Sequence, residues 1–239
     1  MTDRVTLDVI DRPAGGVLRV MRQVRALRRA SPDRPILTLG TADFVARPRP
    51  APTPRRIAIL AAWDDPTPLA ELADGAREHW HVEAEVVRAA FSTGWKGWVP
   101  DTSDARPLEP EEPALILISG ELHVRYVPAF FHDAAGAVAH AFDHPGYLGG
   151  LAITSSPLNT TSCSCWRTYA DAREYAYRPG GHLDAMRRDR ARGHHRTEYF
   201  LRLRPLAERG TLRGRELYVG IGRWPDGTSA ASSPTRVGS

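Results

Sequence analysis

Residues 57–73 read Ile-Ala-Ile-Leu-Ala-Ala-Trp63-Asp-Asp-Pro-Thr-Pro-Leu-Ala-Glu-Leu-Ala, and residues 161–176 read Thr-Ser-Cys-Ser-Cys-Trp166-Arg-Thr-Tyr-Ala-Asp-Ala-Arg-Glu-Tyr-Ala. Each stretch has the pattern of a short strand that ends in Trp, followed by a polar corner and a helix. The two Trp residues lie about 100 positions apart, which predicts a chain built from two similar halves.

The second half also contains a segment that the first half lacks. Shortly after the second copy of the repeat, residues 178–188 read Arg-Pro-Gly-Gly-His182-Leu-Asp-Ala-Met186-Arg-Arg. A duplicated scaffold with one asymmetric His predicts a pocket that is built once. We therefore expect the functional site in the C-terminal half.

Size and composition are those of a globular protein. The chain has 239 residues, 42% hydrophobic and 25% charged, and is long enough to bury a core. No run reaches the ~20 apolar residues of a membrane helix, and the N-terminus has no apolar signal core. These features predict a cytoplasmic protein with no transmembrane segment. Lys96 is the only Lys, and the Arg residues are scattered, so we expect no nucleic-acid partner.

Hydrophobic periodicity predicts the order β-α-β-β-α-β in each half, which is the ferredoxin-like split unit. In the first half the predicted strands are 6–11, 36–44, 57–63 and 83–91, the helices are 16–30 and 66–80, and a Pro-rich exposed loop covers 46–56. In the second half the predicted strands are 114–126, 147–154, 160–166 and 198–204, and the helices are 128–142, 169–177 and 182–192.

A split unit carries helices on one face only, so its other, apolar face must be covered. Two such sheets in one chain can cover each other. We therefore predict an α+β fold, in which two fused ferredoxin-like repeats form a pseudo-dimeric α+β barrel with helices outside and a cavity between the sheets. The fused halves complete this barrel internally, which leaves the oligomeric state open.

The composition also predicts where the parts of the chain begin and end. The first ferredoxin-like half is 1–100, an acidic Pro-rich linker is 101–113, and the second half, with the site, is 114–212. Residues 213–239 form a C-terminal extension that we expect to be partly disordered.

The second half resembles the spheroidene monooxygenase family. The resemblance rests on Trp166, on Gly180-Gly181-His182-Leu-Asp-Ala-Met-Arg-Arg, on Gly193 and on residues 197–206 (Thr-Glu-Tyr-Phe-Leu-Arg-Leu-Arg-Pro-Leu). In the first half, the segments at 13–21, 63–65, 81–88 and 94–98 occur in the order found in that family. The similarity covers most of residues 8–212, with residues 182–205 as its most specific part. It implies a haem-containing oxygenase of carotenoid pathways on a dimeric α+β barrel fold.

The resemblance makes His182 the expected ligand of a haem b iron. Haem iron takes a neutral imidazole from a rigid element, and Gly180-Gly181 would let the backbone approach a flat ligand. His182 then opens a helix that brings Met186 one turn along, into the same pocket. Spacing alone leaves another interpretation open, in which His182 is hydrogen-bonded locally at the start of a helix.

Further residues are candidates for the haem pocket. Trp98 and Lys96 follow the last strand of the first half, where Trp can clamp a planar ligand and Lys can pair with a propionate. Arg125 and Arg187 are the expected Arg partners of the propionates. The alternative for these residues is ordinary packing at the barrel rim.

One predicted strand departs from the family pattern. It reads Ile-Ser-Gly-Glu121-Leu-His123-Val-Arg over residues 118–125, where the family is richer in Arg and Thr. Glu121 and His123 would share a strand face, and we expect them to manage O₂ and protons as catalytic residues. The departure leaves the substrate open between a carotenoid-like and another specialised-metabolite molecule.

The remaining histidines have weaker patterns. His140 and His144 have the i, i+4 spacing of a two-His metal face but lack the Glu of a His-Glu-x-x-His motif, so a helix-end role is the simpler interpretation. We expect His194-His195 to face solvent, and we assign no role to His79 or His81.

The resulting functional hypothesis is a haem-dependent monooxygenase of a small apolar substrate. The chain has no nicotinamide- or flavin-binding glycine motif, so electrons would come from an external donor such as a ferredoxin or reductase. Two alternatives stay open: another haem reaction such as aldoxime dehydration, and haem or lipophile binding without turnover.

Overall fold

The computed structural model describes residues 3–13, 15–30, 36–47, 51–62, 71–91, 98–156 and 158–220. Within these ranges, the chain forms an α+β fold of eight antiparallel strands, which close into a barrel. The strands are β1 (Arg4–Asp11), β2 (Ile36–Asp43), β3 (Ala51–Ala62), β4 (Glu78–Phe91), β5 (Ala114–Leu122), β6 (Tyr147–Ser156), β7 (Asn159–Trp166) and β8 (His195–Gly210). The helices are α1 (Gly16–Ala30), α2 (Val127–Phe142), α3 (Tyr169–Tyr177) and α4 (Gly181–Arg192), with single 3-10 turns at Glu71–Ala73 and Val124–Tyr126.

The strand order around the barrel is β1-β3-β2-β6-β7-β5-β8-β4, and β4 pairs with β1 to close it. Two antiparallel pairs join the halves of the chain, β2 with β6 and β4 with β8. The predicted α+β barrel is therefore confirmed. The ferredoxin-like repeat stays a prediction, because the helix that the first half needs, together with Trp63, falls on residues 63–70, outside the described part of the chain. The predicted extension is described only as far as residue 220.

Apolar side chains fill the interior of the barrel. Alternate residues of each strand point inward and pack into one buried cluster, which contains Leu7, Trp80, Leu117, Cys163 and Leu203. Strands have a side-chain period of two, so their other residues face the helices or solvent. The prediction of a cavity between the sheets is therefore wrong, because packed side chains occupy that space.

Helices α2, α3 and α4 begin and end where local signals predict. Pro128 lies in the first turn of α2, the Thr168 side chain accepts a hydrogen bond from the Asp171 N–H to cap α3, and Gly193 ends α4 in the left-handed conformation. The buried residues Ala141 of α2 and Ala172 of α3 pack on the outer face of the second-half strands. No helix in the described ranges is both long and apolar enough to span a bilayer.

Two first-half segments differ from expectation. The Pro-rich segment 46–56 supplies the start of β3, where Pro52 pairs with β2 while the ladder with β1 begins only at Arg56. Pro is tolerated there because one side of the strand end makes no ladder bonds. The predicted helix 66–80 is also wrong at its C-terminal end. Trp80 belongs to β4, where its side chain is buried in the apolar interior of the barrel.

A substitution inside the barrel tests this packing. Leu115 is 0% exposed in the interior, so Leu115→Ala should lower the free energy of unfolding by about 2–5 kcal/mol. The matched control is Val124→Ala, whose side chain is 70% exposed and whose cost should stay within about 0.5 kcal/mol. Chemical denaturation measures both values, and equal costs would contradict a filled interior.

Candidate functional site

A large cavity of about 1850 Å³ lies outside the barrel, between the second-half strands and helices α2, α3 and α4, and it extends to α1, β2, β3 and β4 of the first half. It exceeds the ~300–1,000 Å³ that is common for small-molecule sites. The space exists because small residues face each other across it. Gly120, Ser162 and Ser164 lie on the sheet side, and Ala134 and Ala137 lie on α2. The Ser-Cys-Ser-Cys alternation of β7 thus directs Cys into the barrel and Ser toward the cavity.

The walls of the cavity are mainly apolar. Met186 of α4 contributes one apolar side chain. The strands and α2 contribute aromatic and aliphatic side chains, which are Ile116, Ile118, Phe130, Phe131, Val138 and Phe200. Walls of this kind favour an apolar occupant, because its binding removes apolar surface from water.

His182 lies on the cavity wall at the start of α4. Its Nδ1 atom is buried, and among the described residues it has no hydrogen-bond partner. Burial lowers the pKa of His182, because it disfavours the charged imidazolium. A hydrogen bond to the backbone of Ala176 acts in the opposite direction and is the smaller effect. At neutral pH the ring is therefore an uncharged imidazole, which is the form that binds a metal.

Aromatic contacts hold the His182 ring against the core. The ring centroids of His182 and Tyr175 lie 5.1 Å apart, and those of Tyr175 and Trp166 lie 4.8 Å apart. The Tyr175 hydroxyl donates a hydrogen bond of 3.0 Å to the Ala137 carbonyl of α2. His182 is thus supported by a buried chain of rings, as a ligand on a rigid element requires.

Gly180 and Gly181 serve a different purpose from the one expected. Both have positive φ, +92° and +46°, and a Cβ on Gly181 would lie 2.4 Å from Nδ1 of His140. The two glycines therefore make room for the His140 ring on α2, where we expected a bound ligand. His144 accepts a hydrogen bond of 3.1 Å from the Gly146 N–H, so the i, i+4 pair acts locally at the end of α2.

A second polar group lines the cavity near the end of α4. His195 Nδ1 lies 2.8 Å from Oδ2 of Asp189, and the Asp189 carboxylate also accepts the His194 N–H at 3.2 Å. The prediction that His194-His195 face solvent is wrong, since His194 is 1% exposed and both residues line the cavity. Gly120 on β5 makes room for His195, because a Cβ there would lie 2.2 Å from its Cδ2.

Arginines gather at another part of the cavity wall. Arg88 of β4 and Arg202 of β8 are directly opposite each other in the ladder, and Arg173 of α3 also lines the cavity. Burial lowers the pKa of Arg202, and the charges of Arg88 and Arg173 act in the same direction. The Arg202 guanidinium stacks on Tyr169, 4.4 Å from the ring centroid, and its buried Nε has no hydrogen-bond partner among the described residues. Like charges in this arrangement cost stability unless an anion binds between them.

Glu121 and His123, the expected catalytic residues, do not line the cavity. Strand β5 ends at Leu122, and His123 is the N-cap of the 3-10 turn that follows, so the two side chains do not share a strand face. The Glu121 side chain is 41% exposed and lies 3.5 Å from Arg196. The expectation of a shared strand face is wrong because the alternation was continued past the end of the strand.

Most of the other expected pocket residues also lie elsewhere. Arg187 is one position after Met186 on α4, so it points to solvent and pairs with Asp184 at 3.4 Å. Arg125 is exposed and stacks on Tyr126. Trp98 packs against the barrel interior, and Lys96 lies outside the described residues. Of the expected set, the structure brings His182 and Met186 to the cavity.

Comparisons with known proteins support the fold. No protein-family model and no curated protein matches the chain. An aldoxime dehydratase in complex with butyraldoxime matches at a TM-score of 0.51 and 9% identity, over 85% of this chain and 80% of that chain. Another aldoxime dehydratase structure matches at 0.49 and 11%, over 85% and 82%. A haem-degrading enzyme from Listeria monocytogenes matches at 0.31 and 10%, over 83% and 98%.

The first of these matches shows a shared α+β barrel fold, and the lower scores carry no inference. Identities near 10% do not transfer an activity. The resemblance to spheroidene monooxygenases stays a prediction.

The glycine pair offers a test of the site's geometry. Gly181→Ala should destabilise the protein by about 1 kcal/mol or more, because the new Cβ meets His140 and the backbone has positive φ. Gly136→Ala on α2 is the control: nothing lies within 4 Å of its Cβ position, so helix propensity should stabilise it by up to about 1 kcal/mol. Thermal unfolding compares the two, and a Gly181→Ala variant as stable as the wild type would contradict the described packing.

Proposed function

We propose that the protein is a haem-dependent monooxygenase that oxidises an apolar substrate. The observation that carries the proposal is His182, a neutral imidazole on the wall of a large apolar cavity, whose buried Nδ1 has no hydrogen-bond partner in the part of the chain that the structure describes. Haem is a flat, largely apolar ring system whose iron takes an imidazole ligand. The apolar walls of the cavity match the ring system, and the neutral His182 imidazole matches the iron. When bound, haem iron would supply O₂ activation with electrons from a separate ferredoxin or reductase.

The Arg group provides partners for the two propionates of haem. Arg173 and Arg202 lie over the Tyr169 ring, 5.9 and 4.4 Å from its centroid, and Arg88 lies opposite Arg202 in the ladder. This concentration of positive charge on the cavity wall favours an anion. These residues take the role that the sequence assigned to Arg125 and Arg187. Met186 would pack beside the macrocycle, one turn along α4 from His182.

Asp189 and His195 are the proposed proton-handling pair. A hydrogen bond from His195 Nδ1–H to the Asp189 carboxylate fixes the ring and its tautomer. The Nε2 atom is then available to give or take a proton at the cavity. This pair replaces Glu121 and His123, which lie off the cavity wall.

The apolar remainder of the cavity would receive the substrate. Phe130, Phe131 and Ile118 offer no hydrogen bonds to a ligand, so a carotenoid-like or other apolar specialised metabolite fits better than a polar one. The proposed setting is the cytoplasm, where soluble electron donors are available.

A spectroscopic experiment tests the haem proposal. The protein is expressed with haem supplied, and we expect a strong Soret band that is lost or clearly shifted in His182→Ala. His123→Ala is the matched control, because this histidine lies away from the cavity wall and should leave the band unchanged. The absence of a Soret band, even after hemin is added, would overturn the proposal.

Turnover then separates the reaction classes. A monooxygenase consumes O₂ and a reductant and forms a product with one added oxygen atom. Haem binding with product formed from an aldoxime without O₂ would indicate dehydration, and haem binding without any product would indicate a carrier protein. Either result would overturn the monooxygenase assignment while retaining the haem site.

The Arg group allows a quantitative test. Arg202→Gln should weaken haem binding about 10-fold, since it removes a charge-assisted hydrogen bond of about 1.4 kcal/mol. Arg187→Gln removes the same charge from the exposed face of α4, where the side chain is 68% exposed, and should leave affinity unchanged. Hemin titration measures both, and a larger loss in Arg187→Gln would contradict the proposed propionate partners.

A further inference from the structure

Asp8, His79 and His81 form a compact group on the first half of the barrel. Asp8 is fully buried, and its Oδ1 lies 2.7 Å from His79 Nε2 and 2.8 Å from His81 Nδ1. The donor atoms of the three side chains lie within 4.8 Å of one another. None of the three lines the large cavity, so the group is separate from the proposed haem site.

The pairing of β1 with β4 brings these residues together. Asp8 is directly opposite His81 in the antiparallel ladder, and His79 lies two residues earlier on the same face. Val9 and Trp80 take the alternate positions and point into the barrel interior. The group therefore lies on the outer face of the sheet, on two strands that are fixed by the closed barrel.

The Asp8 carboxylate has unused capacity to bind a ligand. Both imidazoles approach Oδ1, whereas Oδ2 is buried and has no hydrogen-bond partner among the described residues. Burial alone would raise the pKa of Asp8, but the hydrogen bonds and charges of His79 and His81 outweigh it and lower the pKa. A buried carboxylate anion with one unsatisfied oxygen is costly, and a bound cation would remove that cost.

We propose that Asp8, His79 and His81 bind one divalent transition-metal ion, with zinc as the ion best suited to the set. Two imidazoles and one carboxylate are ligands that zinc commonly takes from proteins, with a fourth position left for water. Zinc bonds of about 2.0–2.2 Å require donor atoms about 3.3 Å apart, so the two hydrogen bonds to Oδ1 would open by about half an ångström. Each ring nitrogen that donates to Asp8 would become unprotonated, with its proton moving to the other nitrogen of the same ring.

Metal titration of the full-length chain tests the site. The protein is treated with chelator, its haem content is kept equal in all samples, and ZnCl₂ is added in a calorimeter. We expect one zinc ion per chain, and affinity at least about 100-fold lower in Asp8→Asn, His79→Gln and His81→Gln. Zinc should also raise the thermal midpoint of the wild type and have no such effect in these variants.

The control addresses the second group of possible ligands, Asp189, His195 and Glu198, on the cavity wall. His195→Gln should bind zinc as the wild type does. No zinc binding by the wild type, or binding that is lost in His195→Gln and kept in His79→Gln, would overturn the proposal. If Asp8→Asn does not fold, His79→Gln still decides, because the His79 side chain is 18% exposed at the edge of the group.

Discussion

The filling of the barrel interior by apolar side chains is the constraint on which the other features depend. Each strand contributes alternate residues to that interior, so the polar and small residues of the same strand must face outward. In β7 this rule directs Cys163 and Cys165 inward and Ser162 and Ser164 outward. The large cavity therefore lies on the outer face of the sheet, beneath the helices, where the packing leaves space.

The two halves use that outer face differently. In the first half, α1 packs Val20 and Val24 onto Ile59 and neighbouring apolar residues, and the Asp8 group occupies another part of the face. In the second half, small residues on the sheet and on α2 leave the cavity that His182 faces. The outer face of one barrel thus presents two features of different character, a large apolar cavity in front of His182 and a compact Asp-His-His group.

The sequence pointed to two residues of the candidate cavity wall. His182 and Met186 share one helical face because they are four positions apart, but His182 became the expected ligand through the family resemblance, since spacing alone left a local hydrogen bond as the alternative. Asp189 and His195 were missed, although Gly193 marks a helix end that turns the chain back toward the sheet. Sequence distance did not reveal their contact, which depends on how α4 and β8 pack against β5.

By itself, the sequence determined the order of most strands and helices, since periods of 2 and 3.6 are local properties. Only the tertiary structure decided that the cavity lies outside the barrel, and that Arg88 meets Arg202 and Asp8 meets His79. These contacts join residues far apart in the chain. They follow from the register that barrel closure imposes on β1, β4 and β8, and no local pattern contains that information.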